Sequence, residues 1–420
     1  MHFYELPLLF ALVGLALYTV LAGADFGAGV WQVAAGRGPR GERLRDHAHH
    51  AMAPVWEANH VWLIFVLTVV WTAYPEAFGS IASTLSVPLF IAAVGIILRG
   101  AAYALRAGTT APRELRLIDT VSGVSSILTP FALGAAIGGI ASQRVPVGNA
   151  AGHLFSSWLN PTSILVGTLA VATSAYLAAV YLAADAVRLG DSELEGRFRF
   201  RALGAGVLTG AIALGGLAVL HADAHPLYHR LVAGAGVAGL VVSLLAGVGT
   251  LALVWLRRFE LARFTAALAV AAIIAGWALA QRPTFLRGLT IQQAAASHDV
   301  LVAVVVSVIA GAVILFPSLA LLFRLLLRGQ FDVADPSGAP VVSRSAIVSA
   351  LVPGLAARVA VACLVAGIGF LTVADAGWAH AIGIAGLSAF IVLGTVAAAP
   401  AELARFAPTE AADPNRERPK

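Results

Sequence analysis

Four ionisable residues stand in or beside apolar runs: Asp25, Glu57, His60 and Arg99. In hydrocarbon such groups cost several kcal/mol unless they are paired or hydrated, so each is a candidate for chemistry. Asp25 lies about 19 residues into the first apolar run, roughly 28 Å along a helix. Arg99 follows about 20 residues into the third run, which returns it to the same level. Glu57 and His60 are three residues apart near the start of the second run and share a helical face. Asp25, Glu57, His60 and Arg99 are therefore expected to form one layer near a membrane boundary. Such a layer accepts protons from bulk water and passes them inward. Gly23, Gly27 and Gly29 flank Asp25 and let a neighbouring helix approach closely.

The same residues also have a purely structural reading. Glu57 in a first turn behind Pro54 suits the helix dipole, Arg99 can snorkel to the interface, and Asp25 can simply pair with Arg99. Trp56, Trp62, Trp71 and Tyr74 read as an interfacial aromatic belt. His221, His298 and His380 fall at the ends of apolar runs, which argues against haem ligation by this chain. His47, His49 and His50 lie in a loop with no fixed frame, and His221, Asp223, His225 and His229 form a second cluster. No metal site is expected from either. The single cysteine, Cys363, excludes a disulfide framework, a zinc knuckle or an iron-sulfur site within the chain, and reads as packing.

The elements that hold these residues follow from composition. Of 420 residues, 59% are hydrophobic and 12% charged, and the mean hydropathy is +0.87. That balance excludes a water-soluble fold, since soluble domains carry about 25% charged residues. A span needs about 20 mostly apolar residues. About eleven runs qualify: 6–33, 55–74, 79–105, 120–142, 163–187, 202–220, 231–256, 264–280, 300–323, 345–373 and 377–399. The first lacks a basic leader and a cleavage signature, so it is expected to be a retained helix.

The net charge of +5 comes almost wholly from arginine, and the arginines segregate between alternate loops. One side collects Arg37, Arg40, Arg43, Arg45, Arg106, Arg113, Arg116, Arg188, Arg197, Arg199, Arg201, Arg257, Arg258 and Arg263, then Arg324, Arg328, Arg344 and the basic residues of the tail. The other has Arg144, Arg230, Arg282 and Arg287. By the positive-inside rule the N-terminus is expected outside and the C-terminus in the cytoplasm of a bacterial cell (inner) membrane. No basic stripe with interleaved aromatics suggests nucleic acid. Residues 20–25 (VLAGAD) echo residues 181–185 (YLAAD) four spans later, which suggests two parallel four-helix halves and a peripheral ninth helix. The expected fold is thus an all-α polytopic membrane protein of two four-helix bundles plus a peripheral helix, with about two further C-terminal transmembrane helices.

The first two spans also carry motifs. Leu21 to Gly29 (LAGADFGAG) resembles the Leu-Asp-Gly-Phe-Asp-Leu-Gly-x-Gly signature of subunit II of cytochrome bd-type quinol oxidases. Trp56 to Leu63 (WEANHVWL) resembles that family's Trp-Asp-Gly-Asn-Glu-Val-Trp-Leu. Leu98-Arg99 with Arg106 looks like its third-helix arginine pattern. Arg282-Pro283 through Leu289-Thr290-Ile291 to Ala294-Ala295 looks like its outer loop, with Arg328-Gly329 beyond the next helix. The likeness covers about residues 5–330.

The resemblance implies a haem-free subunit of a quinol:oxygen oxidoreductase. Haem b and haem d, and the quinol substrate, would belong to a haem-bearing subunit I. This chain would bind no haem, and a structural quinone occurs in some members of the family. A small accessory subunit and membrane lipid are the other expected partners. The chain then divides into a subunit II-like core of about nine spans over 1–330, a cytoplasmic linker at 331–344, a two-helix extension at 345–400 and a polar tail at 401–420. It departs from the family pattern at Ala22, where the family has Asp, and at Glu57 and His60, where it has Asp and Glu. A secondary transporter is the alternative reading; it would show inverted repeats and midplane charges.

Overall fold

The computed structural model describes residues 2–36, 38–52, 56–108, 112–327, 355–373 and 377–398. The linker 331–344, the tail 401–420 and Pro54 lie outside the described residues, as does the side chain of Glu57.

Helices dominate: α1 (Leu6–Val33), α2 (Pro39–Met52), α3 (Trp56–Ala73), α4 (Pro75–Thr84), α5 (Ser86–Gly108), α6 (Pro112–Ala141), α7 (Pro161–Arg188), α8 (Ser192–Asp223), α9 (His225–Val232), α10 (Val237–Trp255) and α11 (Phe259–Gln281). A two-stranded antiparallel ribbon follows, β1 (Thr284–Leu286) and β2 (Leu289–Thr290), then α12 (Ile291–Ala294) and α13 (His298–Leu327). A second compact unit holds α14 (Leu355–Val373) and α15 (Gly377–Ala398). Eight described helices are long and apolar enough to cross a bilayer, and shorter apolar helices at Asn59–Ala73, Arg358–Gly367 and Ala381–Leu393 occupy the three remaining expected positions.

Local chemistry sets the boundaries. Asn160 caps α7 by accepting from the Ser163 N–H at 2.9 Å, with Pro161 in the first turn. Asp191 caps α8 by accepting from the Glu193 and Leu194 N–H groups. The expected third span, 79–105, is broken at Leu85. Pro88 has no N–H for the Thr84 carbonyl and its ring crowds that oxygen, so the chain bends between α4 and α5. Residues 39–52, read as a loop, form helix α2; its polar sequence gives no span signal, yet Leu44 and Ala48 are buried beneath α7. The short β-ribbon is the one sheet among the described residues, and Gly288 (φ 82°) supplies its tight turn.

The first half packs α1 against α3 and α6, with α5 against α6. The second joins α7, α8, α10 and α11. The halves meet where α1 crosses α7. A β-carbon on Gly27 would run into the Ser174 carbonyl and stand 2.7 Å from Ala178 Cβ, so only glycine permits that crossing. Helix α13 lies at the edge, touching α1 and α3 through Val304, Ala11 and Val69. In the second unit Gly386 fits against Gly367 and the Cys363 carbonyl, so Cys363 sits at a helix crossing.

Polar contacts sort the loops into the two sets that the arginines define. On the arginine-rich side Arg43 pairs with Asp191 at 2.6 Å and Glu193 at 2.9 Å, Arg106 reaches Asp46 at 3.6 Å, and Arg257 reaches Glu195 at 3.3 Å. On the other side Arg144 pairs with Asp223 at 2.8 Å and Arg282 with Glu5 at 2.7 Å, while Tyr74 donates to the Tyr4 carbonyl at 2.6 Å. These loops lie at opposite ends of the spans, which is what an unbroken alternation of crossings requires.

Candidate functional site

Helix α1 carries Asp25 toward its C-terminal end, where Gly23, Gly27 and Gly29 strip the backbone bare. Helix α5 brings Arg99 to the same level and α6 supplies Ser122 and Ser126, so three helices converge on one guanidinium. Arg99 Nε donates to Asp25 Oδ2 at 2.8 Å, and Nη2 donates to Oδ1 at 2.8 Å and to the Asp25 carbonyl at 2.6 Å. Nη1 donates to the Ser126 hydroxyl and to Ser122 at 3.5 Å. Tyr103, one turn beyond Arg99, donates to Asp25 Oδ1 at 3.1 Å.

Asp25 and Arg99 are each only 1% exposed, so this is a fully buried ion pair and Arg99 does not snorkel. A pair this deep holds only when geometry and supplementary hydrogen bonds offset the loss of water. Both conditions are met: the contact is bidentate, and the remaining guanidinium N–H groups find hydroxyls or a carbonyl. The Phe26 and Tyr103 rings add a sandwich, with the guanidinium carbon 5.4 and 5.3 Å from their centroids.

His60 on α3 joins this layer through aromatic contact. Its ring centroid stands 5.9 Å from Phe26 and 6.1 Å from Tyr18. Asn59 beside it donates to the Leu21 carbonyl at 3.3 Å, fixing α3 against α1. Glu57 lies one turn before His60 on α3, with its side chain outside the described residues. The structure thus brings together three of the four expected residues.

Tyr103, Ser122 and Ser126 were not anticipated. Hydroxyls in an apolar helix carry no charge signal, although Ser122 and Ser126 at i, i+4 form a polar stripe that sequence spacing could reveal. Beside the layer, on the arginine-rich side, lies a narrow crevice lined by Gln32, His49, Tyr103, Arg106, Asp119 and Ser122, with room for about 10 Å³. His49 stacks on Tyr103 at 5.2 Å, and Arg106 bonds Asp119.

The loop histidines do have a frame, which corrects the sequence reading. His47 is buried on α2, its Nε2 3.1 Å from the Leu182 carbonyl and 4.0 Å from Asp185, while the side chain of His50 lies outside the described residues. His221, His225 and His229 line up with ring centroids 5.1 and 4.4 Å apart. Among the described residues no group of three or more His, Cys, Asp or Glu side chains is placed to hold a metal ion. His298 opens α13 and stacks on Phe3, and the side chain of His380 lies outside the described residues.

Comparison with known proteins identifies the family of the chain. Residues 5–326 match the family model described as cytochrome bd terminal oxidase subunit II. The chain is 28% identical over 114 residues to cytochrome bd ubiquinol oxidase subunit 2 of Bacillus subtilis, a match covering 27% of this chain and 33% of the relative. It is 27% identical over 180 residues to cytochrome bd-I ubiquinol oxidase subunit 2 of Escherichia coli K12, covering 41% of this chain and 46% of that protein. The matched stretches therefore span less than half the length of these curated relatives. A chain in the structure of bd oxidase from Geobacillus thermodenitrificans superposes with a TM-score of 0.60 at 25% identity, covering 78% of this chain and 99% of that one. The family match stops before α14 and α15, the two helices beyond the expected nine. With a matched region that takes in α1 through nearly all of α13, this multi-pass membrane chain belongs to the cytochrome bd terminal oxidase subunit II family.

Proposed function

We propose that this chain is the haem-free subunit of a quinol-oxidising, oxygen-reducing complex, and that it carries protons from the cytoplasm toward a haem-bearing subunit I. The oxidase assignment rests on family membership. The proton role rests on one observation: a buried polar layer at the arginine-rich end of the spans, in which the Asp25–Arg99 pair stands beside His60 on a helix that also carries Glu57. In this reading Glu57 and His60 are the carriers, because each can gain and lose a proton. Arg99 keeps its proton throughout, and both Asp25 oxygens are occupied by it. The pair acts as a positioning element that fixes α1, α5 and α6 around the carriers. The crevice at Tyr103 and Ser122 admits water from the cytoplasmic side.

By the positive-inside rule the arginine-rich loops support a cytoplasmic C-terminus and an outer N-terminus. Haem b, haem d and the quinol belong to subunit I, and a structural quinone would lie in the apolar helix packing of this chain. We further propose that 1–330 is the oxidase core, 331–344 a linker, and 345–400 an extension that fills the place of a small accessory subunit. A secondary transporter would need ionisable groups near the membrane midplane. Here the buried ion pair lies toward one end of α1 instead.

Purification of the chain from its native membrane tests the assignment. A co-purifying partner with the visible spectrum of haems b and d is expected; isolation of a colourless, partner-free protein contradicts it.

A further inference from the structure

On the arginine-rich face, away from the Asp25 layer, Arg201 on α8 has no counter-ion among the described residues. Its guanidinium carbon lies 5.3 Å from both the Trp31 and Phe198 ring centroids, so two aromatic faces fix its plane. Its Nη1 is hidden from solvent and has no hydrogen-bond partner among the described residues, and no described carboxylate lies within ion-pair distance. Leaving a buried charged donor unsatisfied is costly, which favours a bound acceptor.

One turn earlier on the same face, Arg197 points to the same place. Arg197 and Arg201, with Glu193, Gly196 and Phe200, line an open cleft of about 480 Å³. Glu193 is the one acid in the cleft, and it is engaged by Arg43 at 2.9 Å and Arg197 at 3.0 Å, so it does not neutralise Arg201. Gly196 presents no side chain, and a β-carbon there would meet open space.

The position of the cleft near one end of α8 bears on its ligand. Helix α8 has 32 residues, about 48 Å of helix against a hydrocarbon core of about 30 Å, so one or both ends must project beyond it. Arg199 donates to the carbonyls of Val254 and Trp255 at 3.2 and 2.7 Å, so this part of α8 lies level with the end of α10. Phe200, Trp255 and Leu256 are exposed there, 78%, 66% and 66% respectively. Apolar side chains facing outward beside Arg197 and Arg201, of which Arg197 is shared with Glu193, match the composition of a headgroup boundary.

We infer that Arg197 and Arg201 form a binding site for the phosphate of an anionic phospholipid, whose acyl chains run along Phe200. Guanidinium N–H groups match phosphate oxygens in pairs, and a phosphate in the cleft would give Arg201 the counter-charge it lacks among the described residues. Free inorganic phosphate offers the same oxygens without the chains, so the test must separate the two.

The intact membrane assembly is stripped of lipid, placed in nanodiscs of phosphatidylcholine with phosphatidylglycerol, and analysed by native mass spectrometry. The wild type is expected to retain phosphatidylglycerol over phosphatidylcholine by roughly tenfold. R197Q/R201Q should lose that preference, while R258Q, an arginine of the same face outside the cleft, should keep it. Equal retention by wild type and R197Q/R201Q overturns the site. In pure phosphatidylcholine discs, calorimetric binding of inorganic phosphate that needs both arginines, without any preference for phosphatidylglycerol, would overturn the lipid assignment. If R197Q/R201Q does not assemble, R201K keeps the test open: it retains charge but loses the fork, and should lower the preference by about threefold. An unchanged preference in R201K would also count against the site.

Discussion

A β-carbon on Gly29 would stand 2.7 Å from Arg99 Nη1 and would run into the Ser126 hydroxyl. The bare backbone of α1 is therefore what lets α5 and α6 close around Asp25. Glycine here is a space requirement, since α1 is regular helix at this point. Gly29→Ala is expected to destabilise the assembled protein by about 1–3 kcal/mol, the usual cost of overpacking. A lowered thermal midpoint of the purified assembly checks it; no change would mean the three helices have slack that the packing denies.

The buried pair should be strongly coupled. Removing one partner leaves the other charge stranded, so Arg99→Met or Asp25→Leu alone is expected to cost about 3–5 kcal/mol. The double replacement Asp25→Leu with Arg99→Met removes both charges and should recover part of that loss, giving a clear interaction energy in a double-mutant cycle. Additive losses in yield and melting would indicate that the two groups do not depend on one another.

Tyr103 links the pair to the crevice, with its hydroxyl on Asp25 and its ring against Arg99. Tyr103→Phe keeps the ring against Arg99 and should cost only about 1–2 kcal/mol, the value of a hydrogen bond to a charged group. If water enters by this route, oxygen consumption should also fall while the haem spectrum stays intact. Wild-type turnover in Tyr103→Phe would place the entry elsewhere.

On the surface, Asp191 ties the start of α8 to α2. The Leu194 N–H, and after it Arg43, hold its carboxyl below the usual carboxylate range against some desolvation. A carboxyl lowered in the folded state stabilises above its unfolded pKa of about 3.9 and loses that contribution as pH falls through the lowered value. The melting difference between wild type and Asp191→Ala should therefore be present at neutral pH and shrink below about pH 4. A difference that is constant across this range would assign the effect to packing instead.

Much of this architecture was legible in the residues. Apolar runs and alternating arginine loops located the crossings, because lipid forces backbone satisfaction into helices whatever the partner chain. Helix-rise arithmetic placed Asp25 and Arg99 at one level, and they meet there. The same arithmetic missed α2, whose polar composition is that of a loop until its few apolar residues find α7. It also missed the bend at Leu85, which depends on a proline inside an otherwise uniform apolar run. Tyr103 and Ser126 escaped because hydroxyl groups reveal their role only when a charged partner arrives from another helix.

We propose that Glu57 and His60 move protons beside a fixed ion pair. The most direct measurement is oxygen consumption by the assembled complex carrying Glu57→Gln or His60→Gln, between about pH 6 and 9. The account predicts turnover lowered by roughly tenfold or more with a changed pH profile and unchanged haem content. Wild-type turnover and an unshifted profile in both variants would contradict it.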